Sequence, residues 1–150
     1  MAMSAVGTVR THRPDPAPVE ELQHCGRATL AVRRPSETCV AVAVIGDVDA
    51  TNARALGRYV ENHTHLSKQL VLDLRGVDFF GTQAFTALYY INVFCARSDV
   101  DWLIVGGPPV RRLLSICDPE GELPLADDLR SGLVRLDHLA QCRYHMAPAE

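Results

Sequence analysis

The sequence predicts an α/β layer fold, one sheet covered by helices, on three observations. Apolar runs suited to buried strands occur at Thr38–Ile45, Ser67–Val77 and Trp102–Gly106. Each is followed by a segment whose apolar residues recur at helical spacing, and strands alternating with helices are the pattern of a layered α/β domain. At 150 residues without an internal repeat, the chain reads as one domain with tails, long enough to bury a real core.

Residues 1–24 hold Pro14, Pro16 and Pro18 with little apolar periodicity, so they read as a flexible Pro-containing tail ahead of a domain spanning 25–146. From Ala28 to Arg34 the alternation of Ala28, Leu30 and Val32 predicts an edge strand. Pro35-Ser36-Glu37 makes a turn. Thr38–Ile45 is small or apolar on both faces, which marks a buried strand. Asp49 or Thr51 should cap the next helix, whose inward stripe is Ala53, Leu56, Tyr59 or Val60, and His63.

Ser67–Val77 reads as the central strand and Thr82–Ser98 as the second helix, with Thr82 at its cap and Phe85, Leu88, Ile91 or Asn92, and Cys95 inward. Trp102–Gly106 is a further strand, halted by Gly107-Pro108-Pro109 ahead of a helix over 109–116. A short strand is expected at Leu123–Ala126. Asp127 or Asp128 should then open a last helix that buries Leu129, Leu133, Leu136 and Leu139 or Ala140. Residues 147–150 read as a frayed end.

Composition narrows the function. Hydrophobic content of 47% with 22% charged residues is that of a globular protein. A net charge of −3 supplies no bulk basic field, which argues against direct nucleic-acid binding. No apolar stretch approaches a membrane span and the N-terminus lacks the apolar core of a signal peptide, so the expected setting is cytoplasmic, with no membrane partner. Cys25, Cys39, Cys95, Cys117 and Cys142 contain no C-x-x-C pair, which gives no zinc pattern. Cys39 and Cys95 sit in apolar runs as core filler, whereas Cys25 and Cys142 are the candidates for redox chemistry.

Acidic and imidazole groups form no catalytic set by local spacing. Asp73 lies between Leu72 and Leu74, where an unpaired carboxylate is costly, so it should accept hydrogen bonds from the turn that follows. Asp47 and Asp49 flank Val48 at a strand-to-helix turn, a pattern shared by paired metal or acid–base carboxylates and by a helix cap beside a solvated acid. His63 and His65 are two apart, which does not put two ligands on one helical face. Gly106-Gly107-Pro108-Pro109 lacks the ending and spacing of a phosphate loop. No catalytic set, metal or cofactor is predicted, and the chain reads as a non-enzyme.

The strongest signal is the segment 70–86, LVLDLRGVDFFGTQAFT, an apolar strand running through a short turn into a helix. A helix mouth there exposes N–H groups and a positive dipole end to an anion or an acidic surface. This segment resembles the signature of the STAS domain, the fold of anti-sigma factor antagonists, through Leu72-Asp73-Leu74, Gly76-Val77 and Phe79-Phe80. Val44-Ile45-Gly46-Asp47-Val48-Asp49 is similar to the family's strand ending in Gly-Glu-Leu-Asp. Leu103-Ile104-Val105-Gly106 with Val110-Arg111-Arg112-Leu113-Leu114 is similar to its fourth strand and the helix after it.

The resemblance implies a mixed sheet of four to five strands covered by about four helices, chiefly on one face. It implies a switch in transcription control and stress response that binds an anti-sigma factor, of the serine-kinase type in the family's simplest circuit, and frees a sigma factor. Where the family has Asp-Ser-Ser-Gly, this chain has Gly81-Thr82-Gln83-Ala84. The phosphorylated serine of the family falls on Gln83, which has no hydroxyl, so Thr82 becomes the candidate acceptor. The expected partner face is Asp47, Asp49, Gly81, Thr82, Gln83, Thr86 and Tyr90. The alternative is a STAS-type sensor whose altered mouth takes a small anionic ligand or nucleotide.

Overall fold

A computed structural model describes residues 17–146. The elements in chain order are β1 Val19–Cys25, β2 Ala28–Arg33, β3 Cys39–Val48, α1 Ala53–Thr64, β4 Gln69–Phe80, α2 Thr82–Arg97, β5 Asp101–Gly106, α3 Pro108–Cys117, β6 Leu125–Ala126 and α4 Leu129–Met146. The six strands form one mixed sheet in the order β1-β2-β3-β4-β5-β6. β1, β2 and β3 pair antiparallel, while β3 through β6 run parallel. From β3 onward the parallel order advances in one direction, and crossovers of one hand then put every connecting helix on the same side.

That side holds the main core. Leu56, Tyr59 and Val60 of α1, Leu88 and Ile91 of α2, and Val110 and Leu114 of α3 pack on Leu30, Val42, Leu72 and Ile104 of the sheet. α4 follows the last strand and folds over the opposite face, where Leu136 and Leu129 meet Val71, Leu103, Val105 and Ala126. Both faces of β4 and β5 are therefore covered, which is why these strands are continuously apolar in sequence. Arg111 ties the last elements together: Nε donates to Gly106 O (2.9 Å), and Nη2 donates to Ala126 O (2.8 Å) and Asp127 O (2.7 Å).

Several expectations need correction. The sheet has six strands where four to five were expected, because residues 19–24, assigned to the tail, form most of β1. β1 reads VEELQHC and is almost wholly exposed, so it carries no apolar alternation to betray it. β2 is consequently an interior strand. His63 Nε2 lies 3.2 Å from Glu21 Oε1 and joins α1 to β1. β4 runs three residues past Val77, because Phe79 and Phe80 stay paired with Asp47 and Val48.

α4 leaves Leu133 (45%) and Leu139 (38%) exposed, and Ala140 is exposed as well. Its contact row instead centres on Leu136 and Gly132, where a Cβ would stand 2.9 Å from Leu103 Cδ2, so the helix seats through a glycine. The expected tail over residues 1–16 and frayed end at 147–150 lie outside the described residues.

Candidate functional site

The two longest strands, β3 and β4, end side by side. Asp47 pairs with Phe79 and Val48 with Phe80, and the Gly81 N–H donates to Val48 O at 2.9 Å. The mouths of α1 and α2 are thereby fixed next to each other on the C-terminal edge of the parallel strands. β3 reaches this position through Gly46, whose φ of +107° is open to glycine. A Cβ at Gly46 would lie 2.3 Å from Arg27 O, the acceptor for the Asp47 N–H at 3.2 Å.

Asn52 organises the β3–α1 turn. Its side chain is buried, with Oδ1 accepting the Asp49 N–H (2.9 Å) and Nδ2 donating to Cys25 O (2.9 Å) and Asp47 O (2.9 Å). One amide therefore joins the β1–β2 turn, the end of β3 and the start of α1. Asn52 itself occupies the N-cap position, so neither Asp49 nor Thr51 is the cap. The Asp49 carboxylate accepts the Thr51 N–H (2.9 Å) and the Thr51 hydroxyl, and these bonds hold its pKa below the usual carboxylate range. Asp47, partly exposed, faces Arg27 at 3.9 Å.

At the second mouth Gly81, in extended conformation, is the N-cap and Thr82 the first helical residue, so Thr82 is not the cap. No side chain caps α2 and its first turn holds no acidic residue, so the Thr82 and Gln83 N–H groups have no capping side chain, while the Ala84 N–H donates to Gly81 O (2.9 Å). Thr82 and Gln83 are both exposed, and the Thr82 hydroxyl donates to Gln83 Oε1 at 3.3 Å. Gln83, Thr86 and Tyr90 continue along α2 and line a groove of about 400 Å³ between α2 and α1. Tyr90 lies across α1 because Gly57 has no side chain there: a Cβ would be 3.2 Å from Tyr90 Cδ2. The Tyr90 hydroxyl donates to Glu61 Oε1, which raises the tyrosine pKa.

All seven expected partner-face residues thus sit on this edge or the groove that leads from it. The two redox candidates do not meet. Cys25 packs against the three-helix core and burial pushes its thiol pKa up, while Cys142 is exposed on α4 over the other face, 3.5 Å from His138 Nε2. Asp73 accepts from the Arg75 N–H (3.1 Å), Nε (2.9 Å) and Nη2 (2.8 Å). Burial pushes its pKa up, but the Arg75 hydrogen bonds and charge, with Arg33 nearby, prevail and leave it lowered. Among the described residues no three His, Cys, Asp or Glu side chains gather as a metal site.

Four residues of this region escaped sequence reasoning. Asn52 gave no local signal, since two of its partners come from other elements. Phe79 is 54% exposed beside the α2 mouth. Adjacent Phe79 and Phe80 on one strand must point to opposite faces, a signal that was available. Arg54 and Arg58 line the groove opposite Tyr90, and their spacing of four on a predicted helix could have placed them together.

A family model for the STAS domain matches residues 31–132. The chain belongs to the STAS domain family. Among curated proteins it is similar to Osmosensory protein A of Mycobacterium tuberculosis (strain ATCC 25618 / H37Rv), 26% identical over 96 residues, covering 61% of this chain and 61% of that protein. The chain thus spans less than two thirds of that relative's length. Among solved structures this STAS domain is similar to an anti-sigma factor antagonist from Mycobacterium paratuberculosis, with a TM-score of 0.61 and 23% identity over 72% of this chain and 92% of that one. It is also similar to the anti-sigma factor antagonist SpoIIAA in its unphosphorylated form, with a TM-score of 0.56 and 6% identity over 73% and 97%. At these identities the likeness establishes the fold alone.

Proposed function

We propose that this STAS domain is a non-enzymatic, cytoplasmic anti-sigma factor antagonist that binds an anti-sigma factor and frees a sigma factor in a stress response. The observation that carries the reading is the uncapped, acid-free mouth of α2, held beside the mouth of α1 with Thr82, Gln83 and Phe79 exposed around it. Aromatic side chains at the centre of a polar rim are the usual anchors of a protein interface, and Phe79 and Tyr90 supply them here. The two structural neighbours are anti-sigma factor antagonists, which supports the same partner class.

Regulation by phosphate falls on Thr82, since Gln83 offers no hydroxyl. A phosphate there gains from the helix dipole but sets close to two negative charges into the interface, which costs binding unless a cation meets them. The test is affinity capture of purified anti-sigma factors, including one of the serine-kinase type, by wild type and Thr82→Glu. Retention by wild type and loss by the variant is the expected result. Equal retention would remove Thr82 from the mechanism, and absence of any binding at micromolar concentration would overturn the antagonist reading.

The sensor alternative has the Arg54 and Arg58 groove in its favour. A rise in Tm with a small anion, without a protein partner, would establish it.

A further inference from the structure

The groove between α1 and α2 has a chemistry of its own. Its floor is small and apolar, made by the buried Ala53 and Ala87, with the exposed Ala50 also lining it. One wall carries Arg54 and Arg58, both exposed, and neither makes an ion pair among the described residues. They stand one helical turn apart, so their guanidinium groups flank the same stretch of floor. The facing wall offers Gln83, Thr86 and the Tyr90 ring, whose hydroxyl is already engaged by Glu61. The strand edge beyond carries Asp49 and Asp47, which faces Arg27 at 3.9 Å.

We propose that this groove docks an acidic amphipathic helix of the partner protein, with an aliphatic residue on the alanine floor and carboxylates one turn apart against Arg54 and Arg58. The inference rests on the antagonist reading for the identity of the partner and adds the chemistry of docking. Charge complementarity selects the occupant. A basic segment would meet two cations in the groove that make no ion pair among the described residues. Helix-in-groove recognition needs such a spaced set of anchors over an apolar floor. The size suits it, since about 400 Å³ holds a few side chains.

The experiment titrates the isotope-labelled full chain, at low ionic strength, with a synthetic peptide of repeated Glu-Leu-Leu-Glu units and with its counterpart carrying Lys in place of Glu. The acidic peptide should shift the amides of 53–58 and 83–90, and the lysine peptide should not. R54E/R58E should weaken the acidic peptide about tenfold or more, while R97E/R112E, with the same net charge change off the groove, should leave it unchanged. If the double reversal lowers Tm, the neutral pair R54Q/R58Q makes the same comparison.

Equal binding of the lysine peptide to these amides would overturn the proposal, as would shifts elsewhere or an unaffected R54E/R58E. Inorganic phosphate that moves the same amides and displaces the peptide would make this a small-anion site and overturn it likewise. If the acidic peptide docks as expected while no anti-sigma factor binds the wild type, the antagonist reading fails and the groove chemistry stands.

Discussion

Replacing Asn52 by alanine should be among the most damaging single changes near the candidate interface, although Asn52 itself is buried. Its amide makes three hydrogen bonds of 2.9 Å, to the Asp49 N–H and to Cys25 and Asp47 carbonyls, and is 2% exposed. A typical hydrogen bond contributes about 1 kcal/mol net, and partners left unsatisfied add about 1–3 kcal/mol each where water does not reach them. The three bonds alone come to about 3 kcal/mol before any penalty for unsatisfied partners, a large part of the ~5–15 kcal/mol that holds a domain of this kind. It corresponds to a fall in Tm of about 6–12 °C.

Urea unfolding followed by circular dichroism reads the change as a lower midpoint with an unchanged slope. Asn52→Asp sharpens the test. It keeps the acceptor towards Asp49 but turns an oxygen towards two carbonyls, so the folded state binds a proton more tightly than the unfolded chain, whose value is about 3.9. Stability of this variant should therefore fall as pH rises through the folded-state pKa and recover on acidification. A loss below about 1 kcal/mol for Asn52→Ala, or a pH-independent Asn52→Asp, would refute the reasoning, because water would then be replacing the amide.

Three further outcomes follow from the same structure. Asp73→Asn should cost about 1 kcal/mol at neutral pH, modest because Arg75 is half exposed. Asp73 has a lowered folded-state pKa, so its contribution is full above the ordinary value of about 3.9 and lost as pH falls through the folded one, and the gap between wild type and variant should close only in that acid range. Gly46→Ala should cost more than about 3 kcal/mol, from positive φ and the 2.3 Å approach to Arg27 O, and thermal melting would show a Tm lower by about 6–12 °C or more. In thiol titration of the native protein Cys142 should react first, and Cys142→Ser should remove the fast phase. Cys95, with its pKa pushed up to about 12 by burial and then by Asp101, should react only on unfolding.

Local periodicity alone carried β3, β5, the inward stripe of α1 and most of α2, because a strand or helix that buries one face must repeat its apolar residues at that element's own spacing. The motif 70–86 likewise announced a strand feeding a helix mouth, and Gly81-Thr82-Gln83-Ala84 showed on its face that the usual acceptor is missing. β1 stayed hidden because an exposed edge strand buries too little to leave a pattern. α4 misled because Leu133 and Leu139 repeat at helical spacing, yet contact is made through Gly132, whose value lies in what Leu103 needs from across the interface.

The site shows the same division. Thr82 and Gln83 are adjacent in the chain and could be read there. The Asn52 amide reaches Cys25, 27 positions away, the Tyr90 ring lies over Gly57, 33 positions away, and the arginine-lined groove joins residues as far apart as Ala50 and Tyr90. Their contacts depend on strand register and on how closely two helices approach, quantities that no local run of residues encodes.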